Sequence, residues 1–216
     1  INVTDSNKEV TEKAEVVILS VKPQFYADVI AEIKDIVKPE QLIITIAPGK
    51  TLTWLADQFG KAVKITRTMP NTPAMVGEGM TATCPNEHMT EEEIAYVKTI
   101  LESFSRVEVV PEKLMDAVTA VSGSSPAYVY MMIEAMADAA VSGGMPRPQA
   151  YKFAAQAVLG SAKMVLETGK HPGELKDMVC SPAGTTIEAV RTLEELGFRS
   201  SIIEAMKVCE EVSKSM

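Results

Sequence analysis

Apolar positions in the first half of the chain fall into short, nearly unbroken runs separated by amphipathic stretches. Ala14 to Val21 (AEVVILSV) is apolar at almost every position and is stopped by Lys22 and Pro23. A strand with this pattern is covered on both faces, so the run predicts a central strand of a parallel sheet. Phe25 to Val37 carries apolar residues at helical spacing ahead of Pro39, and Gln41 to Ala47 (QLIITIA) reads as a second buried strand. Pro48 and Gly49 break the chain, Thr51 is placed to cap a short helix, and Gly60 to end it before a third strand at Val63 to Thr68. Thr90 and Glu93 have capping-box spacing for a helix reaching about Ser103, and Val107 to Val110 reads as a closing strand. This alternation predicts a doubly wound α/β domain over residues 1–110.

From Pro111 onward the period changes to that of helices. Glu112 to Val121, Pro126 to Ser142, Arg147 to Thr168, Gly184 to Leu196 and Ser201 to Ser213 all carry it, so residues 111–216 are expected to form an all-α domain. Ala127 to Val141 (AYVYMMIEAMADAAV) is apolar on more than one side. Such a helix must be buried on more than one side, and a half-chain of helices offers too few neighbours; a homo-oligomer interface is the expected cover. Met131, Met132 and Met136 belong to that packing surface rather than to a ligand set.

Composition narrows the function. The net charge is −8 over 216 residues with no cluster of Lys or Arg. A phosphate backbone demands a concentrated basic footprint, which excludes nucleic acid as a partner. The longest apolar runs fall far short of the roughly 20 residues that cross a bilayer, and Ile1 to Thr11 has neither the basic flank nor the apolar run of a signal peptide. Cys84, Cys180 and Cys209 are odd in number and widely spaced, as in a reducing compartment. A soluble, cytoplasmic protein is expected. No His/Cys/Asp grouping has ligand spacing, so no metal site is expected.

Three loop segments are more specific: Ser122 to Tyr128 (SGSSPAY), Met145 to Arg147 (MPR) and Lys176 to Ile187 (KDMVCSPAGTTI). Together with Asn7 to Glu9 (NKE), Val21 to Pro23 (VKP), Ala47 to Gly49 (APG) and Asn71 to Pro73 (NTP), they resemble pyrroline-5-carboxylate reductases in order and spacing. SPAGTTIEAV is the strongest element and looks like that family's signature block. The resemblance implies a Rossmann-type dinucleotide-binding sheet domain followed by a helical dimerisation domain, with dimers assembled further into decamers. It implies reduction of 1-pyrroline-5-carboxylate, a cyclic imino acid, to L-proline with NADP or NAD as cofactor, the last step of proline biosynthesis. Such a fold opens with a strand and G-x-G-x-x-G, whose glycines admit the pyrophosphate. No such segment occurs here; Ile1 to Val3 resembles the family's third strand, which implies a partial sheet with strands one and two outside these residues.

The implied substrate needs an anion site, a group near the ring nitrogen and a hydride donor. Pro182 to Thr186 is a turn into a helix start, where open N–H groups and the positive end of the helix dipole favour a carboxylate. Ser181, Gly184 and Thr185 are expected to bind the substrate there, and the Thr186 hydroxyl to meet the ring nitrogen as the catalytic group; the bland reading is that Ser181, Thr185 and Thr186 only cap the helix. Glu112 is either a solvated helix-start acid or, as the resemblance suggests, a substrate-orienting residue. Ligands of parallel sheets lie at the carboxyl ends of strands, which assigns Ser20, Val21, Lys22 and Pro23, and Ala47, Pro48 and Gly49, to the nicotinamide half of the cofactor. Lys22 also fits a solvated turn. By resemblance Asn7 faces the adenosine ribose; it fits a helix cap equally. Met178 stands where some relatives have a cofactor-contacting asparagine. His171 is a general-acid candidate, whereas His88 lies in a polar loop and is expected to be inert, and Cys180 has no basic neighbour in sequence to stabilise a thiolate. Two other functions stay open. A related nicotinamide enzyme acting on a β-hydroxy acid or another imine would carry a catalytic lysine in the linking helix, where Ser122 to Tyr128 has none. A non-catalytic assembly module is the third.

Overall fold

The computed structural model describes residues 2–215. Strands β1 (Val16–Leu19), β2 (Leu42–Thr45), β3 (Lys64–Met69), β4 (Gly79–Pro85) and β5 (Ser105–Val109) form one sheet in that spatial order. β1, β2 and β3 run parallel, β4 is antiparallel to β3, and β5 is parallel to β4. Four helices punctuate this half: α1 (Asn7–Lys13), α2 (Tyr26–Ile33), α3 (Leu52–Phe59) and α4 (Glu91–Leu101). On one face of the sheet Val17, Leu19, Ile43 and Ile65 pack with Tyr26, Ile30 and Ile33 of α2 and Leu55 and Phe59 of α3. On the other, Leu42, Ile44 and Val107 pack with Val97 and Leu101 of α4. β2 is therefore buried at all four positions, as its unbroken LIIT demands.

The helix ends follow local chemistry. Thr51 Oγ1 accepts from the Trp54 N–H at 3.1 Å at the start of α3, and Gly60 closes it at φ +64°, a left-handed position that costs glycine little. α4 opens on a complete capping box between Thr90 and Glu93.

From Glu112 the chain is helical. A 3₁₀ turn (Glu112–Leu114) leads into α5 (Met115–Val118), then a widened turn over Thr119–Gly123, then α6 (Ser125–Ser142). The widened turn is closed by Ser124 N–H donating to the Thr119 carbonyl, five residues back, at 2.8 Å. Asn71 holds it from outside, its Nδ2 donating to the Ser122 carbonyl at 3.1 Å while its Oδ1 accepts from the Met80 N–H at 2.9 Å. Next come α7 (Arg147–Thr168), α8 (Pro172–Val179), α9 (Thr185–Glu195) and α10 (Phe198–Lys214). The chain divides into two compact units, residues 2–126 with 206–215, and residues 127–205. α10 therefore begins in the second unit and ends in the first, where Ser213 Oγ donates to Asp116 Oδ1 at 2.7 Å and Cys209 Sγ donates to Ser124 Oγ at 3.2 Å. Among the described residues no helix is long and apolar enough to cross a membrane.

Several expectations are corrected. β4 was not anticipated: its GMTATCP is rich in threonine and small residues, buried on both faces, and lacks the aliphatic run that marks β1 and β2. It also makes the sheet mixed. α8 was likewise missed, since its PGELKDMV begins with two residues that usually break helices; proline is tolerated at the first helical position because that N–H needs no intrahelical partner. β1 is shorter than AEVVILSV and lies at the edge of the sheet among the described residues, with Ile18 half-exposed. Of the strand expected over Ile1 to Val3, Ile1 lies outside the described residues, and Asn2 and Val3 pair with no strand; Val3 is almost fully exposed.

Candidate active site

The carboxyl ends of β1 and β2 lie side by side, because Leu19 and Thr45 are register partners. Tyr26, first residue of α2 and fully buried, ties them together. Its phenol donates to the Leu19 carbonyl at 2.6 Å and accepts from the Ile46 N–H at 3.2 Å. Burial pushes its pKa up against the opposing backbone hydrogen bonds, which keeps the phenol protonated and donating. Two loops leave these clamped ends. In the first, Ser20 and Lys22 are exposed, Val21 and Pro23 half-buried, and the Lys22 carbonyl accepts from the Phe25 N–H at 2.9 Å. In the second, Ala47 is buried and Gly49 takes φ +73°. Asn7 lies in the first turn of α1, where Ser6 and not Asn7 is the cap: Ser6 Oγ accepts from the Glu9 N–H at 3.2 Å. Asn7 Nδ2 instead donates to Glu32 Oε2 of α2 at 2.8 Å. Asn7, Ser20 and Val21 line one cleft along β1. Two parallel strand ends held in register, with exposed loop backbone and a polar side chain beside them, fit a nicotinamide dinucleotide.

Glu112 is not the solvated acid that its place at a helix start suggests. Its Oε1 accepts from the Leu52 N–H at 2.7 Å and from Arg67 Nη1 at 3.0 Å. Leu52 opens α3, so the carboxylate serves an N–H that the helix leaves open and sits at the positive end of its dipole. Arg67, on β3, is buried, while 31% of the Glu112 side chain is exposed. Cys84 of β4 is the register partner of Arg67, and its thiol is pushed up by burial and then by Glu112, with Arg67 opposing. Sequence reasoning misses Arg67; its signal is an arginine in the middle of a strand, KITRTM, whose other residues past Lys64 are apolar or threonine.

The signature loop has a defined shape. Ser181 to Gly184 form a turn closed by the Gly184 N–H to the Ser181 carbonyl at 3.0 Å. Ala183 takes φ +58°, the one positive φ outside glycine among the described residues. A left-handed L-residue costs roughly 1–2 kcal/mol, and such strain persists where the surroundings enforce it, often at binding sites. Gly184 is the N-cap of α9; a Cβ there would stand 2.3 Å from Ser181 Oγ and 3.1 Å from the Ser181 carbonyl oxygen, so a larger residue would have to turn the Ser181 side chain aside and loosen the turn by a few tenths of an ångström. Gly184, at the N-cap, brings no side chain to the first turn of α9. The first-turn amides stay open to an anion. Thr186 is half-buried, and Ser181 and Thr185 are exposed beside it.

The remaining candidates take structural places. His171 caps α8, its Nδ1 accepting from the Gly173 N–H at 3.0 Å. Met178 is exposed on the same helix, and Cys180 ends it. His88 sits on the surface beside Glu87. Glu93 is held below the usual carboxylate range by Lys64 and by the Thr90 N–H of the capping box.

Residues 112–216 match the family model described as pyrroline-5-carboxylate reductase dimerisation, and residues 1–49 one described as NADP oxidoreductase, coenzyme F420-dependent. Over 216 residues the chain is 56% identical to the pyrroline-5-carboxylate reductase of Escherichia coli (strain K12), covering 100% of this chain and 80% of that protein. It superposes on the crystal structure of Plasmodium falciparum pyrroline carboxylate reductase with NADP bound at a TM-score of 0.92 and 33% identity, covering 100% and 82% of the two chains. For the pyrroline-5-carboxylate reductase of Coxiella burnetii the TM-score is 0.91 at 34% identity, covering 98% and 79%. With the sheet, the clamped strand ends and the signature loop agreeing with these likenesses, the chain belongs to the pyrroline-5-carboxylate reductase family.

Proposed function

We propose that this protein reduces 1-pyrroline-5-carboxylate to L-proline with NADPH or NADH. The observation that carries the reading is the start of α9, whose N-cap Gly184 brings no capping side chain, presented by a turn that holds Ala183 at φ +58°. The first-turn amides and the Ser181 hydroxyl receive the substrate carboxylate, with Gly184 and Thr185 contributing main chain. Thr186 holds the ring nitrogen and relays a proton to it, so that the C=N bond takes up a proton at nitrogen as it takes up hydride at carbon. Glu112 orients the substrate. Ser20 to Pro23, Ala47 to Gly49 and Asn7 hold the nicotinamide cofactor, which supplies the hydride.

The working form is a homodimer through the helical domain, assembled further into a decamer. The exposed apolar side chains of α6 and α7 support this, among them Tyr130, Met131, Phe153 and Leu166. The free cysteines support a reducing compartment such as the cytoplasm. The test is proline formation from the imine with either cofactor. Turnover that depends on the imine and on NADPH or NADH is expected, and absence of turnover with both overturns the reading.

A further inference from the structure

We infer that Arg67 is a positioning residue for this reaction, fixing Glu112 so that one carboxylate oxygen is spent on the protein and the other is left for the substrate. The inference rests on the proposed contact between Glu112 and the substrate. Oε1 of Glu112 takes two donors from two different elements, Arg67 Nη1 on β3 and the Leu52 N–H at the start of α3. Two donors from different directions on one oxygen determine where the carboxylate plane lies, which a single contact would not. Oε2 makes no hydrogen bond to another described residue, and the partial exposure of the side chain leaves it reachable.

The cost of this arrangement argues for a purpose beyond stability. Arg67 is 4% exposed, and its Nε finds no partner among the described residues. Burying a guanidinium with part of its donor set unspent is expensive, and a buried ion pair is often no more stabilising than apolar residues of the same volume. The register partner of Arg67, Cys84, lies in a buried cluster with Met69, Ala82 and Met115, beside which a purely structural strand position would be served by an aliphatic side chain. Charge supplies the reason. The substrate carries a carboxylate, and an uncompensated Glu112 would repel it; Arg67 is the cation paired with Glu112. Cys84, opposite Arg67, does not compete for this role, because a buried thiol stays neutral.

The test uses the full enzyme and four variants: Arg67→Gln, Arg67→Lys, Glu112→Gln and the double variant Arg67→Gln/Glu112→Gln. Arg67→Gln is expected to raise KM for the imino acid about tenfold, leaving kcat and KM for the cofactor within about twofold, the signature of a lost ground-state contact. Arg67→Lys keeps the charge and is expected to recover most of that loss. The double variant should be no worse than Glu112→Gln alone, because both changes remove one interaction. An Arg67→Gln enzyme with a lower Tm and unchanged KM for the imino acid overturns the inference and makes Arg67 structural. So do additive losses in the double variant. If Glu112→Gln itself leaves that KM unchanged, the substrate contact of Glu112 is what fails. Should Arg67→Gln not fold, the same cycle run with Arg67→Lys decides by whether its loss vanishes in the Glu112→Gln background.

Discussion

Thr186 stands half-buried in the first turn of α9 with a hydroxyl that no cap occupies. Thr186→Val keeps its shape and removes the hydroxyl alone. In a steady-state assay kcat should fall about a hundredfold, within the usual range for general acid–base groups, while stability changes by less than about 1 kcal/mol because no cap is lost. Ser181→Ala should act on KM for the imino acid instead, since the carboxylate is the same in ground and transition states. Ala183 offers a test of strain. Ala183→Gly relieves roughly 1–2 kcal/mol of left-handed strain against about 0.4–1 kcal/mol of added freedom in the unfolded chain. Chemical denaturation should show a variant as stable as the parent or up to about 1.5 kcal/mol more so, and a marked loss would show that the turn does not constrain this residue. These positions mark where sequence reading stops. SPAGTT announces a turn into a helix, but the sign of one φ angle, and the pairing of Arg67 with Glu112 across 45 residues, exist only after folding.

At the scale of elements, aliphatic runs and caps were legible and polar strands were not. β1, β2 and β3 declared themselves by VVIL, LIIT and a β-branched stretch between Gly60 and Pro70, and the Thr51 and Thr90 caps were readable from spacing. β4 was not, because its threonines Thr81 and Thr83 are buried rather than facing water, and Thr81 Oγ1 donates to Ser105 Oγ inside the sheet at 2.8 Å. The helix starting at Tyr26 was also legible as a helix, yet nothing in its period shows that its first side chain fastens two strands. Tyr26→Phe removes that fastening and leaves the Ile46 N–H and the Leu19 carbonyl short of a partner, at a cost of about 1–3 kcal/mol. Thermal melts should show the loss, and because the Ser20 and Ala47 loops start at these strand ends, calorimetry should show weaker binding of the nicotinamide dinucleotide. Unaltered affinity in a destabilised Tyr26→Phe protein would mean that the loops hold their shape without the phenol.

For the whole molecule, the surface is the informative part. The helical unit keeps Ala137, Ala150 and Ala154 inside and leaves Tyr130, Met131, Phe153, Leu159 and Leu166 outside. Apolar exposure on this scale marks an interface rather than a solvated surface. Sedimentation should therefore find a species of at least twice the 23.3 kDa chain mass. Phe153→Glu should dissociate it, whereas an exposed substitution in a monomer changes stability by no more than about 0.5 kcal/mol. A monomer at micromolar concentration in the parent protein would contradict the interface. The path of α10 bears on how the chain acquires its fold during synthesis. Because residues 206–215 complete a unit that otherwise ends at residue 126, the contacts they make with it cannot form when the last strand emerges. Those contacts wait for the helical residues 127–205 to be made, roughly 4–16 s at about 5–20 residues per second. The bond from Ser213 to Asp116, across 97 residues, is thus among the last to form, and a ribosome stalled within α9 would hold a sheet whose final supporting helix does not yet exist.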